Sequence, residues 1–290
     1  MTDKDIEDST MNAQAQARQS LEQLYAETSK HAQYQTLPDE LAKKLGVQFE
    51  VNEAWRGDRP RYPLLKEFIQ QGPSASVLDV GANTGFFSLS LAADLKASAI
   101  TACELNSTHA KIIRFLAEIG GYSPFHVTEQ PADLQHVDAF GHFDVALHLN
   151  ILHHAGHDFD KADVPDRGSF MQYGVRYLSG FRATADRMVF QMGYNWGGNK
   201  ELPLVALNDQ AGKVRFTMEL LDGAGWDVQA IGLAKRDGAD AAVVLEKFAP
   251  DSLPSDPSEL DSFLKARYGE HLWSEFYQRP LWFCKSRTAS

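Results

Sequence analysis

One stretch limits what this chain can fold into more than any other. Val77-Leu78-Asp79-Val80 is apolar enough for a short buried strand, Gly81-Ala82-Asn83-Thr84-Gly85 follows as a turn, and an apolar helix runs on to Ala93. A second strand is expected over 99–102, ending at Glu104, and then a helix over 109–119 stopped by Gly120-Gly121. Further strands are expected over 125–128, 143–149, 187–192, 226–233 and 241–248, with a helix over 214–224. Strands alternating with helices predict an α/β fold, a mainly parallel sheet with helices on both faces.

Around this domain, placed at 76–248, the chain reads differently. Residues 1–35 are polar and predict a flexible start running into a helix, and 36–75 have the spacing of a helical cap broken by a turn at 55–60. The C-terminal extension, 249–290, reads as a Pro/Ser/Asp connector, a helix over 259–276 and an edge strand at 280–284, whose exposed Leu281-Trp282-Phe283 could serve a partner or a homodimer. A formal charge of −11 repels polyanions and makes nucleic acid an unfavoured partner. Arg56, Arg59, Arg61 and Lys66 form the exception, either a solvated helix entry or an anion-binding group. No apolar run is long enough for a membrane span, the start lacks the basic and apolar pattern of a secretory signal, and the two cysteines are unpatterned, so a cytoplasmic protein is expected.

Ligands of open parallel sheets sit beyond the strand ends, so the turn after Val80 is the expected site. Gly81 permits the tight turn, and Gly85 lets the helix start close to the strand with backbone N–H groups directed at the ligand. Glu104, 19 residues beyond Gly85, can accept hydrogen bonds from both hydroxyls of a ribose. A dinucleotide fingerprint needs glycine at 83 and 86; the chain has Asn83 and Phe86, which disfavours a pyrophosphate and an NAD-dependent reductase.

With these features, residues 77–87, Glu104 and the run 143–154 ending Leu149-Asn150-Ile151-Leu152-His153-His154, the sequence resembles the class I S-adenosylmethionine-dependent methyltransferases over about 76–248. The resemblance implies a Rossmann-like fold and S-adenosylmethionine as cofactor. It implies that Gly81, Ala82, Asn83 and Gly85 cradle the methionine part, that Asp79 orders that end, and that Glu104 with Leu105 takes the ribose side. Asp133 becomes the candidate for the adenine amino group, and Leu149 and Asn150 for a contact after the fourth strand.

Methyl transfer is an in-line displacement in which positioning and water exclusion dominate, and a hydroxyl or ammonium acceptor also needs a base. His153 and His154 are the candidates, against the alternative that they only line the cofactor pocket. A metal site from His148, His153, His154, His157, Asp158 and Asp160 is disfavoured, because His148 lies within a strand and His157 beyond Gly156, and no metal is expected. Gln191, Tyr194, Asn195 and Trp196, with Arg56, Arg61 and Tyr62, combine polar handles and flat apolar surface suited to an acceptor. The leading expectation is an O- or N-methyltransferase of a small or medium-sized metabolite. The alternatives are a tRNA-modifying enzyme of the same fold and a non-catalytic module that binds S-adenosylmethionine.

Overall fold

In the computed structural model, residues 15, 18–19, 21–23, 37–47, 57–72, 75–95, 99–239, 241–272 and 274–287 are described. Most of the expected N-terminal segment, and Arg56, lie outside them. The chain divides into two compact units, Met1–Asp58 with Pro73–Gln130, and Arg59–Gly72 with Pro131–Ser290. Within 36–75 lie helix α1 (Asp39–Leu45), in the first unit, and helix α2 (Asp58–Ile69), in the second from Arg59 on. Residues 58–60, expected in a turn, are instead the first turn of α2, where the missing N–H of Pro60 costs no helical hydrogen bond.

The first unit is built on three parallel strands, β1 (Val77–Val80), β2 (Ile100–Cys103) and β3 (Phe125–Thr128), in the order β3-β2-β1. All four residues of β1 are buried, which is why its sequence is a continuous apolar run save for Asp79. Helix α3 (Phe86–Asp94) follows the glycine turn, and helix α4 (Ser107–Gly120) starts at Asn106, whose side chain accepts from the N–H groups of Thr108 and His109. Leu41, Leu45, Leu89, Ala102, Ile113 and Leu116 pack into one core. Each large aliphatic there is worth about 1.5–3 kcal/mol of burial. Gly85 sits at φ +83°, and a Cβ on it would lie 3.0 Å from Ile113 and 3.1 Å from Leu89, so both conformation and close packing require glycine.

In the second unit, β4 (Phe143–Leu149) pairs in parallel with β5 (Ala185–Gln191) across helix α5 (Phe170–Thr184). Helix α6 (Gln210–Gly223), β6 (Trp226–Lys235), β7 (Val244–Phe248), helix α7 (Pro257–Tyr268) and β8 (Leu281–Ser286) complete it. Helix α5 escapes the sequence reading because its glycines look like breakers. They serve close packing, for a Cβ at Gly174 would meet Leu220 at 2.8 Å and one at Gly180 would meet Val137 at 2.6 Å. Helix α6 begins earlier than expected because Asp209 caps it through the N–H of Gly212.

The C-terminal tail requires a correction. β8 is no edge strand: it runs antiparallel between β5 and β6, and Leu281, Trp282, Phe283 and Cys284 are at most 1% exposed. Four consecutive apolar residues suit a strand covered on both faces, so this segment offers no exposed apolar surface for a dimer. The edge is β7, with its exposed positions, paired antiparallel to β6. With eight strands among the described residues, parallel pairing in β1–β3 and β4–β5, and helices between them, the architecture is Rossmann-like α/β. No helix among the described residues is long and apolar enough to cross a membrane.

Candidate active site

The glycine turn of the first unit uses its own donors. The N–H groups of Gly81 and Ala82 donate to the carbonyl of Cys103 at 2.9 and 3.0 Å, and that of Gly85 to Ala82 at 2.9 Å. Asn83, held at φ 55°, donates its N–H to Glu104 Oε2 at 2.7 Å. At these four positions, therefore, the backbone donors are spent inside the protein and do not face a ligand, contrary to the sequence expectation. The start of α3 is likewise engaged. Ser88 Oγ donates to Asp79 Oδ2 at 2.5 Å, and the Ser88 N–H donates to the same carboxylate. Burial pushes Asp79 up to about 6, the two bonds from Ser88 oppose this, and repulsion from Glu104 and Asp58 adds to it. A phosphate approaching this helix terminus would find a carboxylate already there and few open donors.

Glu104 is fixed by its backbone surroundings. Oε2 accepts from Asn83 and Oε1 from the N–H of Asn106 at 2.8 Å, while burial raises its pKa against the effect of those two bonds. Each oxygen, having accepted once, retains capacity for a second hydrogen bond. Leu105 beside it is 58% exposed.

The residues singled out in the second unit divide into two groups. Gln191 Oε1 accepts from Arg61 at 2.7 Å and from Asn150 Nδ2 at 2.9 Å, and Gln191 Nε2 donates to the carbonyl of Arg279 at 2.8 Å. Arg279 donates back to Asn150 Oδ1 at 2.9 Å and reaches Glu275 at 3.4 Å, while Asn195 Nδ2 contacts both Glu275 oxygens at 3.0 and 2.9 Å. The guanidinium groups of Arg61 and Arg279 lie 4.9 and 5.2 Å from the ring centre of Phe276. This polar cluster, buried at Arg61, Gln191 and Asn195 and half-buried at Asn150, Glu275 and Arg279, stands at the carboxyl ends of β4 and β5. Tyr62 follows Arg61 on α2 and is half-buried, and Leu149 closes β4.

Tyr194 and Trp196 hold the loop instead. Tyr194 is buried, with its hydroxyl 2.9 Å from Thr217 Oγ1, and burial raises its pKa. The Trp196 indole donates to the carbonyl of Ala155 at 2.7 Å and packs edge-on against His157. Asp133 is occupied locally: its carboxylate accepts from Gln135 N–H at 3.1 Å and lies 2.6 Å from His136 Nδ1.

The histidines separate by environment. His148 is wholly buried against Tyr177, Phe181 and Phe190, and burial brings it down to about 4, so it is a neutral core residue. His153 is buried and accepts the Gly193 N–H at Nδ1, 3.2 Å away. His154 lies 2.8 Å from Asp158 Oδ2 through its own Nδ1, and the two imidazole rings are 4.3 Å apart. Among the described residues, no three His, Cys, Asp or Glu side chains are arranged to hold a metal ion. Sequence reasoning missed Asp58, Ser88, Glu275, Phe276 and Arg279. Asp158 was noticed only as a metal candidate, although its place four residues after His154 was the available signal.

This architecture is a Rossmann-like α/β fold, shared with solved structures. No protein-family model and no curated protein matches the sequence. Among solved structures, the chain is similar to WbdD, at TM-score 0.51 and 16% identity over 93% of this chain and 42% of that one. A second WbdD structure gives 0.50 and 18% over 91% and 46%. In a third, at 0.49 and 20% over 72% and 41%, WbdD is described as a bifunctional kinase-methyltransferase. The chain thus spans less than half the length of these proteins.

Proposed function

We propose that the protein is an S-adenosylmethionine-dependent methyltransferase acting on an O or N atom of a small or medium-sized metabolite. The observation that carries this reading is the glycine turn, whose donors at Gly81, Ala82, Asn83 and Gly85 are engaged by the protein while the Asp79 carboxylate, from β1, accepts from Ser88 in the first turn of α3. Such a turn is suited to a nucleoside without phosphate. Asp58, Asp79 and Glu104 give the surroundings of the turn a negative field, felt at Asp79, that favours a cation over a diphosphate.

When bound, the cofactor supplies a methyl group on a positively charged sulfur. Glu104, prealigned by Asn83 and Asn106, accepts hydrogen bonds from the two ribose hydroxyls, and the exposed face of Leu105 packs beside the adenosine. The Gly81–Gly85 turn takes the methionine part. On the acceptor side, the Arg61, Gln191, Asn150, Arg279 cluster orients a polar group, and its internal hydrogen bonds keep those side chains in one arrangement before the acceptor arrives.

Calorimetric titration with S-adenosylmethionine, S-adenosylhomocysteine and NAD tests the cofactor, and transfer of labelled methyl into a metabolite extract tests the reaction. Saturable binding of the first two, none of NAD, and a labelled small molecule are expected. Binding of NAD alone, or label found only in RNA, would overturn the reading.

A further inference from the structure

We infer that Lys213 is the positioning residue of the acceptor cluster: from one buried turn of α6 it holds the two chain segments, 194–195 and 274–279, that meet at the contact of Asn195 with Glu275. The inference rests on the acceptor side of the reading above and deepens it by naming what regulates that side. All of its residues belong to the second unit.

Lys213 is only 1% exposed, yet among the described residues no carboxylate lies within ion-pair distance of its ammonium. Its Nζ donates to the carbonyl of Leu207 at 2.8 Å and to Gln210 Oε1 at 3.2 Å, and stands 5.8 Å from the centre of the Tyr194 ring. A buried cation without a contact ion pair is costly, and a core position of this kind is ordinarily apolar. What the charge achieves is visible in the two sets of bonds that leave this turn.

The first set runs to the tail. An ammonium only donates, so Gln210 must turn its carbonyl oxygen to Lys213 and its amide nitrogen away. That nitrogen donates to Gln278 Oε1 at 2.9 Å, and Gln278 Nε2 donates in turn to the carbonyl of Leu272 at 2.9 Å. The orientation of each amide is thereby set by the group before it, starting from the lysine. Gln278 lies in 274–279, a segment outside the helices and strands that brings Glu275, Phe276 and Arg279 to the cluster. The second set runs to the loop after β5. Thr217, one helical turn beyond Lys213, donates to the Lys213 carbonyl at 3.0 Å, which leaves its oxygen to accept from the Tyr194 hydroxyl at 2.9 Å. Tyr194 is thus seated on the same part of α6, and the next residue, Asn195, reaches both oxygens of Glu275.

The turn is itself pinned from two sides. Asp209 accepts the N–H of Gly212 at 2.6 Å, and Asp261 of α7 accepts that of Gln210 at 2.9 Å. The charged and titratable groups around Lys213 are therefore Asp209, Asp261, Glu275, Arg279 and Tyr194. Burial draws the lysine down to about 8; Glu275, and then Asp209 and Asp261, oppose this, while Arg279 adds to it. Loss of the proton gives Nζ a lone pair. Gln210 is then no longer obliged to present its oxygen, and the fixed order of the amides lapses.

Hydrogen exchange of the full chain, read by mass spectrometry and corrected for intrinsic pH dependence, tests this hold without any turnover. In Lys213→Met, and separately in Gln278→Leu, exchange over 274–279 should rise about 5–10-fold while β4 is unchanged. The double variant should do no more than the stronger single one, although residues 213 and 278 share no bond, because both cut the same chain of amides. Multiplied effects in the double variant, or an equal rise over β4, would overturn the inference. The wild-type protein should loosen at 274–279 in the same way above about pH 8. Over that range it should also gain global stability relative to Lys213→Met, because the lysine of the unfolded chain holds its proton up to 10.5. Local loosening together with a global gain is not what a merely structural lysine gives, and constant exchange across pH 8 would overturn the inference. Should Lys213→Met fail to fold, Gln278→Leu and the wild-type pH series decide. Labelled-methyl transfer into a metabolite extract supplies the second arm, expected about 10-fold lower in either variant at unchanged S-adenosylmethionine affinity. Loosened exchange with full transfer would show that Lys213 does not govern the acceptor side. A wild-type protein that binds no S-adenosylmethionine would strike the methyltransferase reading and leave the exchange result standing.

Discussion

The candidate sites of the two units are assembled in different ways. In the first unit every group around the glycine turn, apart from Asp58, comes from residues 79–106, and most of the holding bonds are made by backbone N–H groups. In the second, Arg61, Asn150, Gln191, Glu275 and Arg279 are bound side chain to side chain across separations of up to 130 residues. A site made from neighbouring strand ends forms with its local βαβ unit. A site made from distant side chains exists only when the whole sheet order is correct, because its loop-closure entropy is recovered only then.

The sharpest way to break this contrast is Trp282→Ala. Removal of a fully buried indole from β8 should cost ~3–5 kcal/mol in chemical denaturation and disturb the cluster of Arg279, which lies three residues earlier in the chain. A loss below about 1 kcal/mol would show that the tail is dispensable to that unit. Asp79→Asn probes the other unit with the opposite sign. The folded protein holds the Asp79 proton more tightly than the unfolded chain does, so stability rises as pH falls from about 6 toward 3.8 and is lower above. In the cofactor-free protein the amide should therefore add up to ~3 kcal/mol at pH 7 to 8, with the gain vanishing by pH 4. A Tm difference independent of pH would sink the assignment.

Smaller effects probe each site by itself. Glu104→Ala should weaken S-adenosylmethionine binding by ~1–3 kcal/mol through lost charge-assisted hydrogen bonds, as read by calorimetry. Unchanged affinity would move the ribose elsewhere. Gln191→Ala removes the common acceptor of Arg61 and Asn150 and should cost ~1–2 kcal/mol of stability and reduce methyl transfer, with cofactor affinity unaltered. Weaker cofactor binding in that variant would merge the two sites that the contrast keeps apart.

Legibility follows the same division. Val77–Val80, the turn and Glu104 were visible because a buried strand, a glycine turn and a carboxylate at the next strand end all leave marks within thirty residues or so. Helix α5 was hidden by Gly174 and Gly180, whose purpose is a close approach to Leu220 and Val137 that no single segment records. His153 and His154 are alike in sequence and differ in structure, His153 accepting the Gly193 amide and His154 lying beside Asp158.

By itself the sequence determined the α/β alternation, the glycine turn and the acidic strand ends, since hydrophobic periodicity and backbone conformation are local properties. Tertiary structure alone decided that Leu281–Ser286 enters the sheet between β5 and β6, and that residues 61, 150, 191, 275 and 279 share hydrogen bonds. It also decided that the turn's N–H groups are spent on Cys103, Ala82 and Glu104. The reason is that a hydrogen bond's partner is a matter of where strands are placed, and that placement is settled by the free energy of the whole core.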